Sequence, residues 1–156
     1  MQIGAYQIQP EDPTNPALAQ IHARHTAAMH ADTPPESIHM LPASALKAPG
    51  IDFFVLRADG VPVGMGALKR LSADHAEIKS MHVLAEMRGK GLAQALLNHL
   101  IEAGRKAGYQ RLSLETGSQD SFAAARALYL RAGFTLCPPF ADYWDDPNST
   151  FMTIEI

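Results

Sequence analysis

The chain has 156 residues, 47% of them hydrophobic, enough for one continuous buried core, so a single domain over residues 1–156 is the expectation. Its 13 basic and 16 acidic residues leave a formal charge of -3, which excludes the basic excess that nucleic-acid binders use, and no apolar run approaches the roughly 20 residues needed to cross a bilayer. A lone cysteine, Cys137, cannot form an internal disulfide, and the start MQIGAYQIQPEDP lacks the basic and apolar regions of a secretory leader, which together predict a cytoplasmic protein.

In chain order, residues 4–9 predict a first strand, and the stretch PALAQIHARHTAAMH predicts a helix with Leu18, Ile21 and Ala28 at helical spacing behind Pro16. Residues 40–48 are expected to form a short second helix. IDFFVLR at 51–57 reads as a strand ending at Asp59-Gly60, a favoured hairpin turn, with residues 61–71 returning. Residues 75–84 (HAEIKSMHVL) form the next strand and run into the turn AEMRGKG. From Gly91 to Lys106, the rows Leu92-Leu96-Leu100 and Ala93-Leu97-Ile101 make a wide apolar stripe suited to packing on a sheet, closed by Gly108. A strand at 111–116, a helix at 121–132 stopped by Gly133, and strands at 134–137 and 150–156 complete a mixed α/β order with antiparallel hairpins first and helical crossovers later.

The join between strand and helix at 83–94 carries the chemistry. Helix starts ordinarily carry a Ser, Thr, Asp or Asn cap and carboxylates in the first turn, because free N–H groups and the macrodipole favour negative charge. Here Arg88 and Lys90 add positive charge, at about 0.3–1 kcal/mol each, while Gly89 and Gly91 leave the backbone open to approach. An external anion is the expected partner, since a glycine turn at a helix N-terminus suits a phosphate or pyrophosphate; the alternative is that Gly89 and Gly91 are plain turn residues and the charges are solvated. The turn is not a P-loop, since Gly91 follows Lys90 where Ser or Thr is required, and it is not GxGxxG, since Gln94 falls at the third glycine.

The segment Arg88-Gly89-Lys90-Gly91-Leu92-Ala93 resembles the pyrophosphate loop, Gln/Arg-x-x-Gly-x-Gly/Ala, of the GCN5-related N-acetyltransferases (GNAT). The resemblance runs from about Val61 to Phe134 and includes HAEIKSMHV before the loop, ALL in the helix after it and ALYLRAGF near the end. The tail YWDDPNSTFM, with EIKSM and RLSLETGS, is similar to an uncharacterised bacterial branch of that family. The resemblance implies an α/β fold with a mixed, mostly antiparallel central sheet flanked by helices. It further implies an acetyl-CoA-dependent N-acetyltransferase that moves an acetyl group to a primary amine, in the first instance that of a small molecule. Two other readings stay open: a non-catalytic acyl-CoA sensor, and a protein lysine or N-terminal acetyltransferase.

By that resemblance, Met81, His82 and Val83 offer backbone groups to the pantetheine arm of acetyl-CoA and Arg88, Gly89, Lys90, Gly91, Leu92 and Ala93 hold its pyrophosphate, while Phe122 stands where many members carry a coenzyme-contacting asparagine. An amine with a reference pKa near 10.4 is neutral in about one molecule in 10³ at pH 7, so transfer needs a base. The resemblance implies Glu77 for that place, since it precedes the loop by the same spacing as the catalytic glutamate of the histone-acetylating members, with Glu115 and His82 in reserve, and an ion pair with Lys79 or across strands is its alternative use. Strand alternation puts Glu77 on one face with Lys79, Met81 and Val83, and His82 on the other. The resemblance implies Tyr129, four residues before Gly133 like the catalytic tyrosine of many members, as the acid for the departing thiolate, or else it is part of an apolar stripe with Phe122 and Ala125. His22, His25, His30 and His39 lack cysteine or carboxylate companions at ligand spacing, so no metal is expected. His25, Glu36, His39, Tyr143 and Trp144 are the candidates for acceptor contact, the two aromatics alternatively for a homodimer contact.

Overall fold

Four strands paired in chain order start the sheet. In a computed structural model that describes residues 5–156, β1 (Tyr6–Pro10), β2 (Ile51–Ala58), β3 (Val61–Arg70) and β4 (His75–Val83) pair antiparallel in succession. Gly4, expected in the first strand, lies outside the described residues. Asp59 and Gly60 take φ of 51° and 83° and make the two-residue turn between β2 and β3. Helix α2 (Leu92–Lys106) then carries the chain over the sheet to β5 (Arg111–Gly117), which runs parallel to β4. Helix α3 (Ala123–Ala132), the short β6 (Thr135–Leu136) and β7 (Ser149–Glu155) follow, and β7 lies between β5 and β6 in the order β1-β2-β3-β4-β5-β7-β6. The sheet is therefore mixed and mostly antiparallel, as expected.

The stripe of α2 buries Leu92, Leu96, Leu97, Leu100 and Ile101, each such side chain stabilising by about 2 kcal/mol. Gly66 lets the helix lie close, since a Cβ there would stand 2.9 Å from Leu100 Cδ1. Across the sheet, helix α1 (Ala19–Asp32) and the turn before it bring Leu18 and Ile21 against Val55, Met65 and Ala67. Ala28 is exposed, contrary to its expected place in the stripe, and His25 is the residue buried one turn after Ile21. The helix expected over 40–48 is not formed: only the 3-10 turn Ala45–Lys47 appears, because Pro42 disfavours helical geometry at Leu41 and Pro49 closes the segment at Ala48. The strand expected at 134–137 shrinks to Thr135–Leu136. Phe134 turns into the core, and Pro138 and Pro139 have no N–H with which to extend the ladder. Among the described residues, no helix is long and apolar enough to cross a membrane.

β4 and β5 pair only at His75–Arg111, Ala76–Leu112 and Glu77–Ser113, yet β4 continues to Val83 and β5 to Gly117. Beyond Glu77 the two strands part, which opens the sheet between them.

Candidate active site

The parting coincides with a bulge in β4. Ser80, at φ 56°, is an extra residue opposite β3: Ala67 pairs with Lys79 and Met65 with His82, so Gly66 alone faces two residues. One added residue reverses the alternation beyond it. The expectation that Glu77 shares a face with Met81 and Val83, and that His82 lies opposite, is therefore overturned. His82 joins Glu77 and Lys79 on the α1 side, where its Nδ1 stands 3.3 Å from Nδ1 of His25. Met81 turns to the other side, where the Tyr129 hydroxyl of α3 lies 3.7 Å from its sulfur, and Val83 lies beside Gly64. Tyr129 is buried and stacks edge-on with Phe134, and burial pushes its phenol up to about 12.

After β4, the 3-10 turn Ala85–Met87 leads to an extended Arg88, and Gly89 and Gly91 both take positive φ, 77° and 78°. Gly91 caps α2 in left-handed geometry without a side-chain hydrogen bond, and the first turn holds no acidic residue. A Cβ at either glycine would meet nothing within 4 Å, so this backbone lies open to approach. Leu92 is buried and presents only its backbone, Ala93 and Lys90 are half-buried, and Arg88 is exposed. Helix N–H groups, the dipole and two cationic residues thus converge on one exposed turn, an arrangement suited to a diphosphate. Arg24 of α1 pairs with Glu86 at 2.7 Å and ties this turn to the helix across the sheet.

On the α1 side, Glu77 is 3% exposed, and its Oε2 accepts from the Tyr143 hydroxyl and from Lys79 Nζ at 3.3 Å. Lys79 Nζ also donates to the Tyr143 oxygen at 2.9 Å and to the His39 carbonyl at 3.0 Å. The ion pair considered for Glu77 therefore exists, within a network that includes a tyrosine 66 residues away. Burial, then the Glu77 charge, pushes the Tyr143 phenol well above its ordinary value, so it donates at every working pH. His39 stands edge-on to both Tyr143 and Trp144, each at 4.9 Å. The segment carrying these aromatics is clasped to the loop after α1, since the Ser37 hydroxyl donates to the buried Asp146 carboxylate at 2.5 Å. Glu115 lies on β5 two residues past Ser113, on the same side of the sheet. Burial pushes its carboxyl up to about 6; the Ser149 hydroxyl and Lys79 oppose the rise, and Glu77 and Asp146 add to it.

The opening between β4 and β5 thus has two different flanks. Tyr129, Met81 and the glycine turn stand towards α2 and α3, and Glu77, Glu115, Lys79 and Tyr143 towards α1. Of the other candidates, Glu36 is exposed and His25 is committed to His82, while His22 meets the Pro13 carbonyl at 2.9 Å. Burial holds His25 and His82 down to about 4. The clasp from Asp146 escaped sequence reasoning. Its local half, the Asn148 N–H donating to Asp146 at 2.9 Å, follows from the turn-forming run DDPN, but nothing local marks Ser37 as its distant partner.

Comparison with known proteins places the chain in a family. The profile of the Acetyltransferase (GNAT) family matches residues 15–134. The chain is 47% identical over 146 residues to the uncharacterised N-acetyltransferase YsnE of Bacillus subtilis, covering 94% of this chain and 97% of that one. It is 38% identical over 151 residues to the uncharacterised N-acetyltransferase YedL of Escherichia coli, covering 97% and 95%. Among solved structures it is similar to a candidate acyl-CoA N-acyltransferase from Klebsiella pneumoniae, with a TM-score of 0.80 and 28% identity over 96% of this chain and 97% of that one.

Proposed function

Because the chain belongs to the GNAT acetyltransferase family, we propose that it is an acetyl-CoA-dependent N-acetyltransferase that moves an acetyl group directly to the primary amine of a small molecule in the cytoplasm. The observation that carries the donor half is the uncapped start of α2, with two left-handed glycines and flanking Arg88 and Lys90. Arg88 to Ala93 would hold the pyrophosphate, and the backbone of Met81, His82 and Val83, past the end of the β4–β5 pairing, would take the pantetheine arm. A backbone N–H of that segment would stabilise charge on the thioester oxygen. The burial of Glu77 beneath the clasped loops favours a small acceptor over a protein segment.

Tyr129 would return a proton to the leaving sulfur, a reading supported by the reach of its hydroxyl to the Met81 side chain of β4. A phenol near 12 is a weak acid beside a thiol whose reference value is about 8.5. Its transfer therefore has to be coupled to recovery of the proton shed by the newly acylated nitrogen. Glu77 or Glu115 would supply the carboxylate that an incoming ammonium requires.

Calorimetric titration with acetyl-CoA tests the donor half. The wild type should show saturable binding, and Arg88→Glu and Gly91→Asp should each weaken it by about ten-fold or more, through reversed charge in one case and a side chain forced into left-handed geometry in the other. Undiminished binding in both variants would place the donor elsewhere.

A further inference from the structure

Resting on the reading of this cleft as the acetyl-transfer site, we infer that Glu115 takes the proton from the acceptor ammonium, and that Glu77 is a positioning residue fixing Lys79 and Tyr143 beside it. Glu77 Oε2 already accepts from the Lys79 ammonium and the Tyr143 hydroxyl, so a substrate proton delivered to that oxygen has to displace donors held within the core. Glu115 sits on the free part of β5, two residues past the last rung shared with β4, on the flank of the opening. Lys79, whose charge reaches Glu115, is bound to Glu77 instead.

The groups facing Glu115 come from three directions: Glu77 and Lys79 on β4, Asp146 on the loop after β6, and Ser149 on β7, while Tyr143 lies within reach of its charge. With burial they leave a carboxyl that titrates at about 6, close to the value that suits proton transfer near neutral pH. Two carboxylates in one cleft with different environments divide their tasks, one accepting protons and one holding structure.

The step balances as follows. Glu115 takes one proton from the ammonium, and the neutral nitrogen attacks the thioester carbon. A C–N bond forms and the C–S bond breaks. Sulfur receives the Tyr129 proton, the second proton shed by nitrogen restores Tyr129, and the proton on Glu115 passes to solvent. One ammonium and one thioester give one amide, one thiol and one released proton.

The test pairs a titration with a rate profile, using Glu115→Gln, Glu77→Gln and the double variant Glu77→Gln/Lys79→Met, which leaves no buried charge unpaired. In protein carrying ¹³C-labelled glutamate carboxyls, one signal should titrate near pH 6. It should vanish in Glu115→Gln and move to lower pH in Glu77→Gln, where a nearby negative charge is lost. A panel of primary amines is then assayed by thiol release from acetyl-CoA. For the amine turned over fastest, Glu115→Gln should lower kcat by about 10²–10⁴ and abolish the acid limb of the rate profile. Glu77→Gln should lower kcat far less and shift that limb downward, and the double variant should keep it. A wild type with no carboxyl titrating near 6, or a Glu77→Gln enzyme that loses the limb while Glu115→Gln keeps it, overturns the assignment. Failure of the underlying function is a separate result: a folded wild type that binds acetyl-CoA yet releases no thiol with any amine.

Discussion

His25 and His82 show how one side-chain contact links sequence to stability. An imidazole on the buried face of α1 meets another on β4, and burial first, with His82 beside His25 and with Arg88 and Arg24 near His82 acting in the same direction, holds both near 4 against an ordinary value of about 6.5. Between those values the unfolded chain binds more protons than the folded one, so stability is present above pH 6.5 and is lost as pH falls towards 4. For one such histidine the full loss is about 3 kcal/mol. Thermal unfolding from pH 7 to pH 4.5 should therefore show a steeper fall in Tm for the wild type than for His25→Leu. Parallel curves would mean that the pair does not carry the dependence. The residue scale is also where sequence reasoning was least complete. Glu77 and Tyr129 were legible as candidates by position, but that Tyr143 bonds Glu77, and that Lys79 joins them, depends on segments 64 and 66 residues apart.

At the scale of elements, legibility followed the strength of the periodic signal. The two apolar rows of α2 named five of its buried residues and missed Gly104, with Ala93 only half-buried, and the Asp59-Gly60 hairpin formed where turn chemistry required it. The short helix at 40–48 failed because two prolines outweighed a few apolar residues. The bulge at Ser80 left no mark in the sequence, since serine is not a residue that calls for φ of 56°. Yet that one residue decides which side of the sheet Met81 and His82 serve. The packing of α2 on β3 yields a direct prediction. Gly66→Val should destabilise by about 1–3 kcal/mol in urea unfolding, because its Cβ would meet Leu100 Cδ1 at 2.9 Å, and Leu100→Ala in the same chain should recover part of the loss. Strictly additive losses would show that the helix had shifted to make room.

Over the whole molecule, the site depends on a clasp between distant loops. Ser37 and Asp146 are 109 residues apart, and their hydrogen bond joins the segment after α1 to the one that carries Tyr143 and Trp144. Asp146→Ala should raise the acceptor KM by about ten-fold by releasing Tyr143 from its place over Glu77, with acetyl-CoA affinity in calorimetry preserved, because the glycine turn is built from a different part of the chain. Equal losses of donor and acceptor binding would point to general loosening of the fold instead.

The sequence by itself determined the glycine turn at the start of α2, because strand, glycines and helix start are contiguous in residues 83–94, and local backbone preference and charge suffice to specify them. It also determined the class of fold, through the order of its hairpins and crossover helices. Only the tertiary structure decided the flank of the opening that faces α1. Glu77, Glu115, His39 and Tyr143 come from separate segments, and what gathers them is the parting of β4 from β5, the reversal of alternation at Ser80 and the clasp from Asp146. Each of these is a long-range contact or a register choice, which no local spacing encodes.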